Sequence, residues 1–120
     1  MTQQDAHQWA QEWIRAFNAH DLNAILDHYA DELAFYSPLI PLLTCNESGC
    51  ITSKDDLERY FRVGLSTYPD LHFTLQTVFV GIDTLVIQYT SVNARLASEV
   101  VQLNEQGKAQ KVFCHYAMEK

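Results

Sequence analysis

A chain of 120 residues, 48% of them apolar, has the size of one domain, and a single domain spanning 1–120 is expected. Its formal charge of −7 argues against nucleic acid and anionic membrane as partners, since both demand a basic face, and weakly against a highly anionic substrate. The opening MTQQDAHQWAQEW has neither the basic nor the apolar region of a signal peptide, and no apolar run approaches the roughly 20 residues of a membrane span. The odd count of three cysteines (Cys45, Cys50, Cys114) then fits reduced thiols, and a cytoplasmic location is expected.

In chain order, residues 4–18 predict a helix, because Ala6, Trp9, Ala10, Trp13 and Phe17 recur at helical spacing as one aromatic stripe. It stops at Asn18-Ala19-His20. Asp21 has the chemistry of an N-cap for a second, short helix whose inner face is Leu22, Ile25, Leu26 and Tyr29. Leu33, Phe35 and Ser37 alternate with Ala34 and Tyr36, which predicts a short strand ended by Pro38. Residues 39–52 are expected to be irregular. Their Leu39-Ile40-Pro41-Leu42-Leu43 run is apolar enough to pack down over something, as a lid would. Within this stretch Asn46-Glu47-Ser48 fits the glycosylation pattern, which means nothing without secretion. Cys45 and Cys50 have the spacing of a redox pair or half a metal site, but the remaining ligands are missing, and incidental loop thiols are the plainer reading.

Ser53 is expected to cap a third helix, with Asp56 completing a shortened capping box and Leu57, Tyr60, Phe61, Gly64 and Leu65 buried. Pro69 closes it by disfavouring helical geometry at Tyr68. From Leu71 the period changes to two: Leu71, Phe73, Leu75, Thr77 and Phe79 are predicted to share one strand face. Gly81-Ile82-Asp83 turns the chain. Strands follow over 85–92, 94–103 and 110–118, with a turn at Asn93 and a hairpin loop at Asn104-Glu105-Gln106-Gly107. Helices followed by an antiparallel meander predict an α+β fold. Twist should curl the long strands around the helices into a cone whose open end is a pocket.

The stretch AFNAHDLNAILDHYADELAFYSP (16–38), then GCITSKDDLERYFRVGL and NEQGKAQKVFCHYA, together with this order, resembles the nuclear-transport-factor-2-like superfamily, in particular its SnoaL-like and ketosteroid-isomerase-like members. The resemblance covers nearly the whole chain. It implies a cystatin-like fold: a cone-shaped, curled antiparallel (mixed) sheet wrapped around three N-terminal helices. It does not imply one function, because this scaffold carries isomerases, cyclases, dehydratases, epoxide hydrolases and non-catalytic members. Matched to ketosteroid isomerases, Ser37 stands where the general base Asp would be and Trp13 where the oxyanion tyrosine would be. Tyr29 and Phe61 match supporting tyrosines, and Glu99 matches the oxyanion carboxylic acid. Serine without a neighbouring base has no useful basicity, so Δ5-steroid isomerisation by that mechanism is not expected.

Glu99 is therefore the candidate catalytic residue. Period-two parity groups it with Ala97, Val101 and Leu103. If that set faces the cone, desolvation raises its pKa toward that of a general acid at neutral pH. The alternative is a solvent-facing glutamate, or one paired with Arg95 or Lys111. Trp13, Tyr29, Phe35, Ser37, Phe61 and Tyr116 are the candidate ligand-binding residues, a lining suited to a planar or polycyclic apolar ligand. Tyr116 shares parity with Val112 and Cys114, and the family register points it inward and His115 outward. His115 reads as an interface residue, or as a base if the register differs, and His72 as a surface or rim residue. No histidine spacing supports a metal, and no cofactor is implied. The functional expectation is a cofactor-free isomerase, cyclase or dehydratase working by proton transfer, against a non-catalytic binding or dimerisation module. The outer sheet face, with Leu96, Val100, Phe113 and His115, is expected to pair two copies of the chain.

Overall fold

The computed structural model describes residues 1–44 and 46–118. Helix α1 (Gln3–Asn18) begins on a reciprocal capping box: Thr2 Oγ1 accepts from the Asp5 N–H, and the Asp5 carboxylate accepts from the Thr2 N–H. Its inner stripe, including Ala6, Ala10, Trp13 and Phe17, is buried. The helix stops where His20 takes a left-handed φ of 54°, uncommon for a residue with a side chain. There the imidazole Nε2 lies 2.9 Å from the Leu71 carbonyl. Asp21 caps α2 (Leu22–Leu26) by accepting from the Ala24 N–H.

Two expectations fail in the next stretch. Tyr29, expected on the second helix, is the first residue of strand β1 (Tyr29–Tyr36), paired with Ala109. Register shifts between Tyr29 and Ala34 break the alternation, so that Tyr29 and Ala30 are buried side by side and mimic a helix end. Residues 39–52 are not wholly irregular either. They hold α3 (Ile40–Leu43), with Pro41 in the first turn where its missing N–H costs no bond, and strand β2 (Cys50–Ser53). Cys45, half of the Cys45–Cys50 pair considered above, lies outside the described residues. Ser53 Oγ accepts from the Asp56 N–H to cap α4 (Lys54–Thr67), the third of the expected helices, while the Asp56 carboxylate turns to Arg59 instead of back to the cap.

The meander is β3 (Thr74–Val80), β4 (Thr84–Thr90), β5 (Leu96–Leu103) and β6 (Ala109–Tyr116). Strand β1 joins β6 in parallel and β2 flanks β1, giving one six-stranded mixed sheet in the order β2-β1-β6-β5-β4-β3. Helix α1 packs on β3, and α4 packs on β1 and β2. The result is an α+β cone with the sheet curled around the helices, and bulges in β1, β3 and β6 supply local bends. The predicted common face of Leu71 to Phe79 breaks at the β3 bulge. Between Leu75 and Thr77 the register slips, so Val78 turns into the core and Phe79 turns out, 53% exposed. At the β4–β5 connection the strands end sooner than expected, because Val92–Ala94 forms a tight turn with Asn93 and Ala94 both at left-handed φ, 58° and 57°. Among the described residues, no helix is long and apolar enough to cross a membrane.

The core is one cluster dominated by rings. Trp13 meets Phe17 at 4.9 Å and Tyr89 at 5.3 Å between centroids, Phe73 meets Tyr89 at 4.7 Å, and Phe61 meets Phe17 at 5.4 Å. Asn18 locks the end of α1 to the approach to β3. Its Nδ2 donates to the Phe73 carbonyl and its Oδ1 accepts from the Phe73 N–H, at 2.9 and 2.7 Å. Asn18→Ala strands both backbone groups and should cost about 1–3 kcal/mol, read as a lower urea midpoint. Asn18→Asp, which keeps only the acceptor half, should fall between the two.

Candidate functional site

Strand β5 alternates cleanly, and Ala97, Glu99 and Val101 all turn into the cone. Glu99 is only 4% exposed. Directly across the ladder is Cys114 of β6, whose thiol donates to Glu99 Oε1 at 2.8 Å. Glu99 Oε2 has no partner among the described residues. Arg95 and Lys111 do not pair with it: among the described residues the cations in ion pairs are Lys54, Arg59, Arg62 and Lys108, each with an aspartate or glutamate elsewhere. Removal from water pushes the Glu99 carboxyl from its ordinary 4.5 to about 7, and the Cys114 thiol pulls the other way by bonding to the carboxylate. Burial also raises Tyr29, Tyr60, Tyr89, Tyr116 and the Cys114 thiol, with the nearby Glu99 charge adding to each. All five keep their protons at neutral pH, which leaves Glu99 as the group poised to titrate there.

Glu99 lines a cavity walled by Trp13, Phe35, Phe61, Tyr89 and Tyr116. Leu39 and Leu43, flanking and ending α3, cover one side, while Leu42 points to solvent, so the apolar 39–43 run does lie over the cavity. Ser91 and Val92 of the β4–β5 turn form the other side. Enclosed free space is about 60 Å³, and the whole concavity, its open mouth included, is about 540 Å³. Gly64 borders this space, and a Cβ there would meet nothing within 4 Å. Among the described residues, no lysine, arginine or histidine lines it. Among the described residues there is no group of three or more His, Cys, Asp or Glu able to hold a metal.

The SnoaL-like domain family matches residues 10–115. This chain belongs to the SnoaL-like family. Its fold is shared with an NTF2-like protein of unknown function from Cytophaga hutchinsonii ATCC 33406, which superposes with a TM-score of 0.72 at 12% identity, over 93% of this chain and 89% of that one. A SnoaL-like protein of unknown function from Burkholderia thailandensis E264 shares 40% identity and superposes with a TM-score of 0.92, over 98% of this chain and 99% of that one. A protein of unknown function with a cystatin-like fold from Methylobium petroleophilum PM1 superposes at 0.77 with 13% identity, over 100% and 80% of the two chains. The epoxide hydrolase/cyclase-like enzyme SalBIII, of pyran ring formation in the polyether salinomycin, superposes at 0.76 with 15% identity, over 96% and 92%. No curated protein matches.

Within this SnoaL-like cone, four of the six predicted ligand residues line the cavity: Trp13, Phe35, Phe61 and Tyr116. Tyr29 and Ser37 do not. Tyr29 lies behind the wall because it opens β1, and its hydroxyl accepts the Trp13 indole N–H at 3.0 Å. Ser37 is buried next to α3, where its Oγ accepts from the Leu39 N–H and stands 3.5 Å from the Tyr60 hydroxyl. Sequence reasoning passed over Tyr60, Tyr89, Ser91 and the bond from Cys114. Parity carried two of these signals: Tyr89 alternates with buried Leu85 and Ile87, and Cys114 with Tyr116. His72 is at the surface beside the mouth, His115 is exposed on the outer face, and His28 is held by its own helix through the Ala24 carbonyl.

The raised carboxyl has a definite sign in stability. In the folded chain Glu99 retains its proton up to about pH 7, whereas the unfolded chain releases it near 4.5. Its contribution is complete below pH 4.5, declines as pH rises through 7, and is flat beyond. Compared with Glu99→Gln, which carries no charge, the native protein should lose about 3 kcal/mol of unfolding free energy between pH 4.5 and 8, measured by urea titration of both proteins at each pH.

Proposed function

We propose that this protein holds an uncharged, largely apolar ligand in its cone and acts on it without a cofactor, by proton transfer through Glu99 as general acid and base. Isomerase, cyclase and dehydratase chemistries all fit that description. The observation that carries the reading is a carboxyl shielded from water, poised near neutrality, bordering an aromatic cavity with one oxygen unpartnered. The absence of cationic lining favours a neutral ligand. The epoxide hydrolase/cyclase-like assignment of SalBIII, on the same fold, is consistent with chemistry of this class. A ring-sized ligand takes the wider concavity and displaces α3, because 60 Å³ falls well below the roughly 150 Å³ of an apolar cavity that accepts benzene.

A binding module without chemistry is the second reading. It is favoured by Ser37 standing where a base would be, and by the Trp13 N–H being committed to Tyr29. Incubating the protein in D2O with a panel of one-ring to four-ring enones and β-hydroxy ketones separates the two. The catalytic reading expects deuterium in at least one compound, with labelling about 100-fold slower or worse in Glu99→Gln. Binding of panel members without label in either protein rejects it.

The same proposal includes a homodimer through the outer sheet face, in a reducing, cytoplasmic setting that suits the Cys114 thiol. Direct cross-strand partners Tyr36, Phe113, Val100, Val86 and Phe79 form one apolar row across five strands, with Tyr36 and Phe113 stacked at 4.9 Å. Val100→Asp puts a charge in the middle of that row and should yield monomers in sedimentation velocity. An unchanged dimer rejects this interface.

A further inference from the structure

The Glu99–Cys114 contact is unusual in its place. Both residues are buried, they are direct partners across the β5–β6 ladder, and among the described residues the thiol is the one donor to a carboxyl that otherwise has none. We propose that Cys114 is a positioning residue: its S–H occupies Glu99 Oε1 and thereby holds the exchangeable proton of the acid on Oε2, the oxygen left free for a ligand. This deepens the acid/base reading above and rests on it for its functional meaning.

The argument is one of donor and acceptor inventory. A neutral carboxyl has one hydroxyl oxygen and one carbonyl oxygen. A hydroxyl at Oε1 would direct its own hydrogen toward the sulfur or force the thiol to let go. With the S–H donating, Oε1 is the carbonyl oxygen and Oε2 bears the hydrogen. When the proton leaves, Oε1 keeps its donor, and the resulting carboxylate is not left bare in an apolar enclosure. A hydroxyl in place of the thiol would do the same more strongly, and an alkyl group would do neither.

Ser37 lies nearby, with its Oγ 3.5 Å from the Tyr60 hydroxyl and accepting from the Leu39 N–H. The serine at the position of the isomerase base is thus held against α3 and does not line the cavity. The titratable groups around Glu99 are Tyr29 of β1, Tyr60 of α4, Tyr89 of β4, and Cys114 and Tyr116 of β6. None of them changes charge near neutrality, so a pH-dependent signal from this cluster reports Glu99.

The test uses the full-length protein in two measurements. Infrared spectroscopy follows the Cys114 S–H stretch, assigned by its loss in Cys114→Ser. The band should move to lower frequency as Glu99 ionises, because a carboxylate is the stronger acceptor, and should shift to the position of a free thiol in Glu99→Leu. A band that ignores both pH and Glu99→Leu overturns the proposal, and this arm needs only the conservative Cys114→Ser variant, for the assignment, to fold. Carboxyl-13C NMR titration of Glu99 supplies the second arm. Cys114→Ala should raise its midpoint by about one pH unit, and Cys114→Ser should return it to the native value or below. An unmoved midpoint in Cys114→Ala, or a serine variant that behaves like alanine, also overturns it. Failure of the catalytic reading looks different: the native midpoint would lie near 4.5 while the S–H band still followed it.

Discussion

A carboxyl moved out of water is the constraint around which this molecule is arranged. Ionised and unpaired, such a group costs several kcal/mol in an apolar interior, and among the described residues Glu99 meets no lysine, arginine or histidine there. The protein reduces the cost in two ways. It lets the group stay protonated up to about pH 7, and it gives one oxygen a thiol donor. Neither measure would be needed if Glu99 served only to fill space, since a leucine or glutamine at 99 would avoid the penalty. The stability forgone at physiological pH is the physical reason to regard the cavity as a functional site and not simply as a gap in packing.

The placement of that carboxyl follows from the regularity of three neighbouring strands. In β4, β5 and β6 the inward sets are Leu85, Ile87 and Tyr89, then Ala97, Glu99 and Val101, then Val112, Cys114 and Tyr116. Their register sets Ile87, Glu99 and Cys114 side by side. A slip of one residue in either ladder would send Glu99 or Cys114 to the outer face. The bulges fall elsewhere, in β1, in β3 and at Gln110 near the start of β6. The sheet bends around the helices at those points while its central stretch holds the side chains in phase.

This distribution also explains what could be read from the sequence. Where alternation is unbroken, parity alone indicates that Glu99 shares a face with Ala97 and Val101, and that Tyr116 and Phe113 oppose one another. Helix caps at Asp21 and Ser53 were legible because their chemistry is local. The bulges were not. Nothing about Gln76 announces that Phe79 will face outward, and buried neighbours Tyr29 and Ala30 look like the end of a helix until the pairing with β6 is known. Tyr29 and Ser37 were misplaced for a related reason: matching by position identifies the strand or helix, but the Trp13–Tyr29 bond and the close approach of α3 decide whether a side chain reaches the cavity or stands behind it.

The exchange of an aspartate for Ser37 and of a phenol for Trp13 has a chemical consequence on the proposed reading. An isomerase with a base on one wall and two donors on the other polarises a carbonyl while a separate group carries the proton. Here the serine hydroxyl is committed to the Leu39 N–H and the indole N–H to Tyr29, so one carboxyl must give the proton and take it back. A single group with a midpoint near 7 is suited to both halves of that task, because neither protonation state is strongly favoured at neutral pH. It also acts from one wall. The chemistry that matches is proton movement between adjacent atoms on a single face of the ligand, or addition across a bond whose electrophilic end is activated by the Oε2 hydrogen. Reactions that need a base and an acid on opposite faces do not match.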